Sequence, residues 1–389
     1  MSESLQGKSN KKICFITTVP VTLKLFVLPA ADYLYQQTSY DVTMICDDDA
    51  AFAASLPPYI HYIPVSMKRG ISLGGIGAML KMMRIFRKEK FDMVQYSTPN
   101  ASLYAALAAK LTGIPVRKYH LMGLRYLGFS GCKKRIFKTV ERITCLLSTD
   151  IECVSVSNRT LGVNDGLFSL QKSSIILNGS SSGVDCTRFD IRNRKVWRNE
   201  LRRQLGYESN DCVFGYVGRI TGDKGINELL KAFERAEIDN GKLLLIGAIE
   251  YGQTIDKSLI ESARNDNRVI FHLPVEDIER YYAAMDVLIL PSYREGFGMV
   301  VVEAEAMGVP VIVTDIPGPT DAMIPDKTGL VVKKADVDSL VSAMRELAGS
   351  AEKRERLGAA GHSFAVENFE QQRLFQAILQ DRKRLLGEE

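Results

Sequence analysis

The sequence has few of the residues that build disulfide frameworks or metal centres. Its seven cysteines are scattered and form no C-x-x-C pair, which argues against disulfide staples and against a zinc site. Its four histidines lie far apart, and no H-E-x-x-H sequence occurs. We therefore expect no metal site built from neighbouring ligands, and the cysteine pattern fits a reducing compartment.

Long apolar runs are also missing. The first twelve residues are polar, end in two lysines, and precede no apolar stretch of the length that a signal peptide or a membrane span requires. The sequence therefore predicts a cytoplasmic protein. Its net charge of +4 is too small to require a nucleic-acid partner.

Two common nucleotide-binding signatures are absent. A nicotinamide-dependent dehydrogenase carries G-x-G-x-x-G after its first strand, but no glycine follows the first apolar run, Ile13–Thr17. The glycines between residues 74 and 77 have the wrong spacing, and no Walker A sequence occurs. These absences argue against a dehydrogenase and against a P-loop nucleotidase.

The chain does contain a regular series of short apolar runs rich in β-branched residues, which are typical of buried parallel strands. Helical patterns lie between many of them, so we predict an α/β fold with two Rossmann-like, doubly wound parallel-sheet domains. The runs are Ile13–Thr17, Val42–Cys46, Ile60–Pro64, Met93–Tyr96, Val116–His120, Ile151–Val156, Ser174–Leu177, Val213–Val217, Lys242–Ile246, Val269–His272, Val287–Leu290, Val311–Thr314 and Leu330–Val332.

A turn-rich and then charged stretch, 179–206, interrupts this series. It predicts a first domain of residues 1–187 and a second of 188–368, with a C-terminal helix in 369–389 that packs back on the first domain. Ligands of such sheets bind beyond the carboxyl ends of the strands. We therefore expect the functional site in a cleft that the two domains face.

The stretch 291–310 joins a strand end, a loop with two glycines and a helix that starts near Met299. Glycines let a ligand approach the backbone, and the first turn of a helix favours an anion by about 1 kcal/mol. Glu303 lies one turn along this helix, suited to binding the vicinal hydroxyls of a ribose. Glu295 lies at the other end of the loop. The pattern predicts a nucleotide site.

A second stretch, Val213–Gly225, carries two basic residues between a strand and a helix. The strand ends at Gly218, Arg219 follows it, and Lys224 stands just before the helix. Two such cations suit a diphosphate, because charge-assisted hydrogen bonds contribute roughly 1.5–3 kcal/mol each. They would also stabilise a diphosphate leaving group.

Together these stretches resemble the family 4 glycosyltransferases of the GT-B fold, especially those that build capsule and O-antigen polysaccharides. The resemblance extends over nearly the whole chain and is strongest over residues 210–335. Two motifs carry it: an E-x7-E motif formed by Glu295 and Glu303, and a G-R-x4-K-G motif formed by Gly218, Arg219, Lys224 and Gly225.

The resemblance implies a retaining enzyme that moves a hexosyl or N-acetylhexosaminyl group from a UDP-sugar to a saccharide acceptor, with no metal or other cofactor. It assigns acceptor binding to the first domain and donor binding to the second. Arg219 and Lys224 would bind the diphosphate, and Glu303 the ribose. The other implied donor contacts are Glu295, Gly218 and the backbone of Phe297, Gly298, Met299 and Val300, with the backbone near Leu273 and Val275 at the nucleobase.

The family often places a histidine near the sugar, after the strand that we expect near residue 118. His120 is the candidate here, although relatives carry their polar residue in the place of Met122, just before the glycine that matches Gly123. His120 and Met122 share one face if the strand continues, so His120 would point the right way. An ordinary strand histidine is the alternative. The family's Gly-Gly turn after the first strand is replaced by Thr17–Pro20.

Basic residues form two clusters in the first half of the chain. Solvated helix faces would explain them, and so would attraction to an anionic membrane, worth roughly 1 kcal/mol per basic residue. The second explanation predicts a peripheral protein on the inner face of the plasma membrane, with an undecaprenyl-diphosphate-linked acceptor. The clusters are Lys81, Arg84, Arg87, Lys88 and Lys90, then Arg117, Lys118, Arg125, Lys133, Lys134, Arg135, Lys138 and Arg142.

Two alternatives share these motifs. A nucleotide-sugar epimerase of the GT-B fold would bind the same donor and transfer nothing to an acceptor. A non-catalytic nucleotide-sugar-binding subunit would bind without turnover. The paired acids, Glu295 and Glu303, together with Arg219 and Lys224, favour the transferase.

Overall fold

The structure is a computed structural model that describes residues 10–67, 73–252 and 254–388. Residues 1–9, most of the polar N-terminal stretch, lie outside the described residues. The chain divides into two compact units. One contains residues up to Ser182 together with those from Gln372 onward, and the other is Gly183–Gln371. The sequence had suggested divisions after residues 187 and 368.

The described part of the first unit is built on a seven-stranded parallel sheet with the strand order β3-β2-β1-β4-β5-β6-β7. Its strands are β1 Lys12–Ile16, β2 Asp41–Cys46, β3 Ile60–Pro64, β4 Met93–Tyr96, β5 Val116–Leu121, β6 Asp150–Cys153 and β7 Ser173–Ser174. Its helices are α1 Pro20–Phe26, α2 Leu28–Gln37, α3 Ala50–Ser55, α4 Leu73–Glu89, α5 Pro99–Leu111, α6 Gly131–Leu147, α7 Val156–Asn164 and, at the C-terminus, α15 Gln371–Leu386.

Both faces of this sheet are covered, because its side chains alternate between two cores. Cys14 and Ile16 of β1 pack in the core that α4, α5 and α6 complete. Ile13 and Phe15 pack in the opposite core, with α1, α2 and the C-terminal α15. Five buried apolar side chains of α15 enter that core: Leu374, Phe375, Ile378, Leu379 and Leu386.

The second unit repeats this arrangement with a six-stranded parallel sheet in the order β10-β9-β8-β11-β12-β13. Its strands are β8 Cys212–Val217, β9 Gly241–Ile246, β10 Val269–His272, β11 Val287–Leu290, β12 Val311–Thr314 and β13 Gly329–Val332. Its helices are α8 Arg194–Gln204, α9 Ile226–Ala236, α10 Lys257–Asn265, α11 Ile278–Ala284, α12 Met299–Ala306, α13 Val337–Ala348 and α14 Ala351–Phe369.

The predicted α/β fold class is correct, and most strand ends lie within one or two residues of the predicted runs. Three details were wrong. β6 ends at Cys153, whereas the predicted run continued to Val156, which begins α7. β7 contains only Ser173–Ser174, and the chain turns at Leu177, whose φ is 51°. β5 ends at Leu121, so Met122 does not share a strand face with His120.

Candidate active site

The two motifs lie at the carboxyl ends of neighbouring strands in the second unit. β8 leads into the loop of Arg219 and Lys224, and β11 leads into the loop of Glu295. These strands pair in parallel, with Val287 opposite Phe214. The strand order reverses between β8 and β11, since β9 and β10 lie to one side and β12 and β13 to the other. Such a switch point is where open parallel sheets bind ligands.

The loop after β8 packs directly against the backbone of the loop after β9. Gly218 has a φ of +145°. A Cβ on Gly247, the residue after β9, would lie 1.8 Å from the carbonyl oxygen of Gly218. Tyr216 Oη donates to the carbonyl of Arg219, 2.7 Å away. The Arg219 guanidinium extends into solvent, where its Nη1 lies 2.8 Å from Glu250 Oε2.

An ion pair joins the two motif loops. Lys224 lies in a 3₁₀ turn, Gly222–Lys224, and its Nζ donates to Glu295 Oε1 at 2.6 Å. Ser292 Oγ donates to the same carboxylate oxygen at 2.7 Å. Both charged side chains are mostly buried, with exposed fractions of 19% and 15%. The structure thus brings a cation of one motif onto an acid of the other.

Gly225 makes this approach possible. Its φ is +72°, and a Cβ there would lie only 2.0 Å from the carbonyl oxygen of Pro291. Any side chain at this position would push the β8 loop away from the β11 loop, since the contact is with backbone. The glycine of the motif therefore has a packing reason as well as a conformational one.

The β11 loop ends at the start of α12. Gly298 is the N-cap residue with a φ of +100°, and it has no side chain that could cap the helix. Phe297 is buried, its ring centroid 5.2 Å from that of Phe369, so it anchors the loop. The positive end of the helix dipole of Met299–Ala306 therefore lies beside the Glu295 loop, which suits an anion.

Glu303 lies one turn into α12 and is half-buried. Tyr282 Oη donates to its Oε2 at 2.8 Å. Burial raises the pKa of Glu303, while the Tyr282 hydrogen bond and the nearby Arg188 act in the opposite direction. The side chain is poised to accept hydrogen bonds from a ligand.

The predicted nucleobase segment follows β10. Leu273 is 74% exposed and Val275 is half-buried. His272 fixes the segment, because its Nδ1 lies 2.8 Å from the carbonyl of Leu273 and its Nε2 3.0 Å from Tyr281 Oη. Arg188 donates to the backbone carbonyl of Glu276 a few residues further on.

His120 lies in the first unit, at the centre of a buried polar cluster. Its Nδ1 is 3.3 Å from Ser97 Oγ, and its Nε2 is 3.7 Å from Glu152 Oε1. Burial lowers the pKa of His120 to about 4, with Arg382 and Lys118 acting in the same direction and Glu152 opposing them. The imidazole is therefore neutral at pH 7.

Lys118 does not belong to the basic surface that the sequence suggested. It is fully buried, and its Nζ contacts Asp150, Glu152 and Asp381. Arg382 of α15 is buried beside it and donates to Glu152 Oε2 at 2.7 Å and to Gln95 Oε1 at 2.8 Å. This cluster ties α15 to the sheet, and Lys118 has no exposed charge to offer a membrane.

The structure thus brings together Lys224 and Glu295, whereas Arg219 has its ion-pair partner in Glu250. Sequence reasoning missed four residues around the site side chains. Ser292 contacts Glu295, Glu250 contacts Arg219, and Tyr282 and Arg188 act on Glu303. Ser292 lies three residues before Glu295 on the same loop, whereas the contacts of Tyr282, Glu250 and Arg188 join separate elements, so the sequence carried no local signal for those three. Among the described residues, no group of three or more His, Cys, Asp or Glu side chains could hold a metal ion.

Comparison with known proteins agrees with the fold and the motifs. A family model described as glycosyl transferase 4-like matches residues 12–155, and one described as glycosyl transferases group 1 matches residues 198–364. The chain is 32% identical to the capsular polysaccharide biosynthesis glycosyltransferase CapM of Staphylococcus aureus, over 95% of this chain and 96% of that protein.

The chain is also similar to three proteins of lower identity. A UDP-Gal:α-D-GlcNAc-diphosphoundecaprenol α-1,3-galactosyltransferase of Escherichia coli is 23% identical over 80% of this chain and 81% of that protein. The solved structure of Anabaena HepE with UDP and glucose has a TM-score of 0.79 at 21% identity, covering 96% of this chain and 100% of that chain. A sucrose-phosphate synthase from Thermosynechococcus elongatus has a TM-score of 0.80 at 18% identity, covering 98% and 100%.

These findings define a GT-B fold with the motifs of sugar-transferring enzymes. The chain belongs to the GT-B glycosyltransferases, with a glycosyl transferase 4-like first half and a group 1 second half.

Proposed function

We propose that this protein is a retaining glycosyltransferase that moves a sugar from a UDP-sugar to a lipid-linked saccharide acceptor during the synthesis of a surface polysaccharide. The Lys224–Glu295 ion pair carries this proposal. It puts a cation and a carboxylate at the switch point of the second sheet, beside the start of α12, with Glu303 one helical turn away.

Each site residue has a role in this proposal. Lys224 and Arg219 bind the diphosphate and neutralise the charge that develops on it as the bond between the anomeric carbon of the sugar and the diphosphate oxygen breaks. The backbone from Gly218 and from Phe297 to Val300 contacts the phosphates, where only glycine lets the chain approach closely. Glu303 accepts hydrogen bonds from the ribose, Glu295 orients the transferred sugar, and the backbone near Leu273 and Val275 meets the nucleobase.

The printed names of similar proteins support the substrate classes. The Escherichia coli relative is named for UDP-Gal and a diphosphoundecaprenol acceptor, and HepE was solved with UDP. CapM is named for capsular polysaccharide. We extend these to a UDP-sugar donor carrying a hexose or N-acetylhexosamine, and to an undecaprenyl-diphosphate-linked acceptor. No metal or other cofactor takes part, since Lys224 and Arg219 supply the positive charge.

Retention of anomeric configuration is part of the proposal. The bond from the anomeric carbon to the diphosphate breaks and the acceptor hydroxyl bonds to that carbon on the same face of the sugar, while the hydroxyl proton passes to the departing phosphate oxygen. Lys224 and Arg219 stabilise the leaving group there. His120, neutral at pH 7, stays a prediction as the residue beside the sugar.

The surface of α6 favours attachment to an anionic membrane. Its solvent side carries apolar side chains that are 54%, 39% and 66% exposed, at Ile136, Ile143 and Leu146. The exposed Arg135 and Arg142 flank them. Basic residues beside an apolar stripe suit the interface of an acidic bilayer. Co-sedimentation with neutral vesicles that salt leaves unchanged would contradict the electrostatic part of this proposal. No helix among the described residues has the length and apolar character needed to cross a membrane.

The first experiment is a thermal-shift titration with UDP, GDP, ADP and their common sugar conjugates, beside Glu303→Ala. A ligand at a hundred times its Kd stabilises the folded state by roughly 2.7 kcal/mol. We expect UDP and one UDP-sugar to stabilise the wild type and not the variant. Incubation with that UDP-sugar and a lipid-linked acceptor then separates transfer from the two alternatives, since an epimerase changes the donor alone and a binding subunit changes neither substrate.

A further inference from the structure

The hydroxyl of Tyr282 has its hydrogen-bond partner in Glu303. Tyr282 lies on α11, is fully buried, and packs at 6.0 Å between ring centroids against Phe189. Its Oη donates to Glu303 Oε2 at 2.8 Å across 21 residues of sequence. A buried phenol has no solvent to bond instead, so this contact fixes where the carboxylate oxygen lies.

The contact constrains a side chain that would otherwise have several orientations. A glutamate has three side-chain torsions, and the last is broad and roughly two-fold. Because Oε2 is held by Tyr282, fewer orientations are open to the carboxylate, and Oε1 and the remaining lone pairs can accept from a ligand. A pair of vicinal hydroxyls needs both oxygens at a fixed angle.

Charged groups from the neighbouring elements act on the same carboxylate. Arg188, which precedes α8, lowers its pKa, and Glu279 on α11 raises it. Arg188 Nε also lies 2.8 Å from Glu279 Oε2, so part of its charge is shared. Burial is the largest influence and favours protonated Glu303, which the Tyr282 hydrogen bond opposes. Loss of that bond would therefore favour protonation further.

We propose that Tyr282 is a positioning residue for the nucleotide donor: through its hydrogen bond it holds the Glu303 carboxylate in the orientation that binds the two ribose hydroxyls. This proposal rests on the proposed function, in which Glu303 binds the ribose. Tyr282 itself touches no substrate. Tyr282 should therefore affect the affinity only for ligands that have ribose hydroxyls, and only through Glu303.

The test measures the Kd of UDP and of 2′,3′-dideoxy-UDP by titration calorimetry for the wild type and Tyr282→Phe. A hydrogen bond to a charged group corresponds to roughly 10- to 100-fold in an equilibrium constant. We expect Tyr282→Phe to weaken UDP binding by about 10-fold or more and to leave dideoxy-UDP binding unchanged. An equal loss for both nucleotides would mean a structural defect and would overturn the proposal.

A pH series gives a second readout. Burial raises the pKa of Glu303 and the Tyr282 hydrogen bond lowers it, so loss of that bond raises the pKa further, and the variant-to-wild-type ratio of UDP Kd values should fall as the pH rises through the titration of this carboxyl group. Ionisation of the UDP phosphates cancels in that ratio. A ratio independent of pH would contradict the proposed effect on the carboxylate.

Two further variants complete the design. Tyr40→Phe is the matched control, since Tyr40 is a buried tyrosine of the first unit whose hydroxyl donates to Glu388 Oε2 at 2.6 Å, and UDP binding should not change. Glu303→Ala separates the two proposals. If Glu303→Ala still prefers UDP over 2′,3′-dideoxy-UDP as strongly as the wild type does, the ribose role of Glu303 is wrong. If it loses UDP affinity while Tyr282→Phe keeps it, only the role of Tyr282 is wrong.

Discussion

Lys224 Nζ lies 2.6 Å from Glu295 Oε1, and this contact links two loops that are 71 residues apart in sequence. In the proposed reaction the two residues have different roles, because Lys224 binds the diphosphate and Glu295 orients the sugar. Their contact keeps each side chain oriented. It also makes the effects of changing them interdependent.

Lys224→Ala and Arg219→Ala should each lower kcat by roughly 10²–10³, because each removes a cation that stabilises charge on the leaving diphosphate. The measurement is sugar transfer from the donor identified by thermal shift. Arg235→Ala is the matched control, since Arg235 is an exposed arginine of the same unit that pairs with Asp338. Wild-type turnover in the Lys224→Ala, Arg219→Ala double variant would remove the basis of the assignment.

Glu295→Gln should lower kcat more than it lowers donor affinity, since the proposed carboxylate orients the sugar rather than binding the nucleotide. Steady-state kinetics and donor titration together give the two numbers. The double variant with Lys224→Ala should lower kcat by less than the product of the two single effects, because either single change already breaks the Lys224–Glu295 ion pair. Equal losses of kcat and affinity would mean that Glu295 serves binding alone.

Gly225→Ala should both destabilise the protein and lower turnover. The +72° φ and the 2.0 Å approach of a Cβ to the Pro291 carbonyl force the backbone to move, at a cost of roughly 1–3 kcal/mol. Gly252→Ala is the matched control, because a Cβ at Gly252 meets no atom within 4 Å. Thermal unfolding and transfer assays check both effects. Full activity of Gly225→Ala would show that the two loops need not meet.

Sequence was sufficient for the fold class and for the motif residues of the second unit. Parallel strands buried on both faces leave continuous apolar runs, and a strand-to-helix loop carries its ligand contacts within a few residues of sequence. Lys224 and Glu295 could therefore be assigned to strand-to-helix loops of the same domain before their contact was known.

Contacts between distant elements could not be predicted in this way. Lys118 was grouped with basic surface residues because its sequence neighbours give no sign of the acids that surround it. Those acids belong to β6 and α15, and Arg382 reaches Glu152 across 230 residues. The sequence did not predict a role for Tyr282 for the same reason, since only the packing of α11 against α12 brings its hydroxyl to Glu303.

The His120 cluster makes the stability of the first unit depend on pH. The folded-state pKa of His120, about 4, lies below the ordinary value of 6.5, so between these values the unfolded chain binds more protons. Stability should therefore be lost as the pH falls from 6.5 to 4, by about 3 kcal/mol in the limit. Glu152 adds to this loss near and below pH 4.5, since Arg382 and Lys118 hold its pKa below the usual range despite its burial. Glu141 acts in the opposite sense, because burial raises its pKa to about 7 and stabilisation is lost as the pH rises from 4.5 to 7.

Comparison with His120→Gln isolates the histidine from these opposing carboxyl groups. Glutamine cannot be protonated in this range, so the variant should lose less stability than wild type between pH 7 and pH 5. The measurement is the urea concentration at the unfolding midpoint of the first unit at each pH. A fluorescent probe on the exposed Cys132 monitors the unfolding. The Glu141 contribution is common to both proteins and cancels in the difference, and Glu152, whose pKa is held below its usual range, contributes mainly below this pH range. A stability difference that stays constant across this range would mean that His120 carries the same charge in the folded and unfolded chains, contrary to its burial beside Lys118 and Arg382.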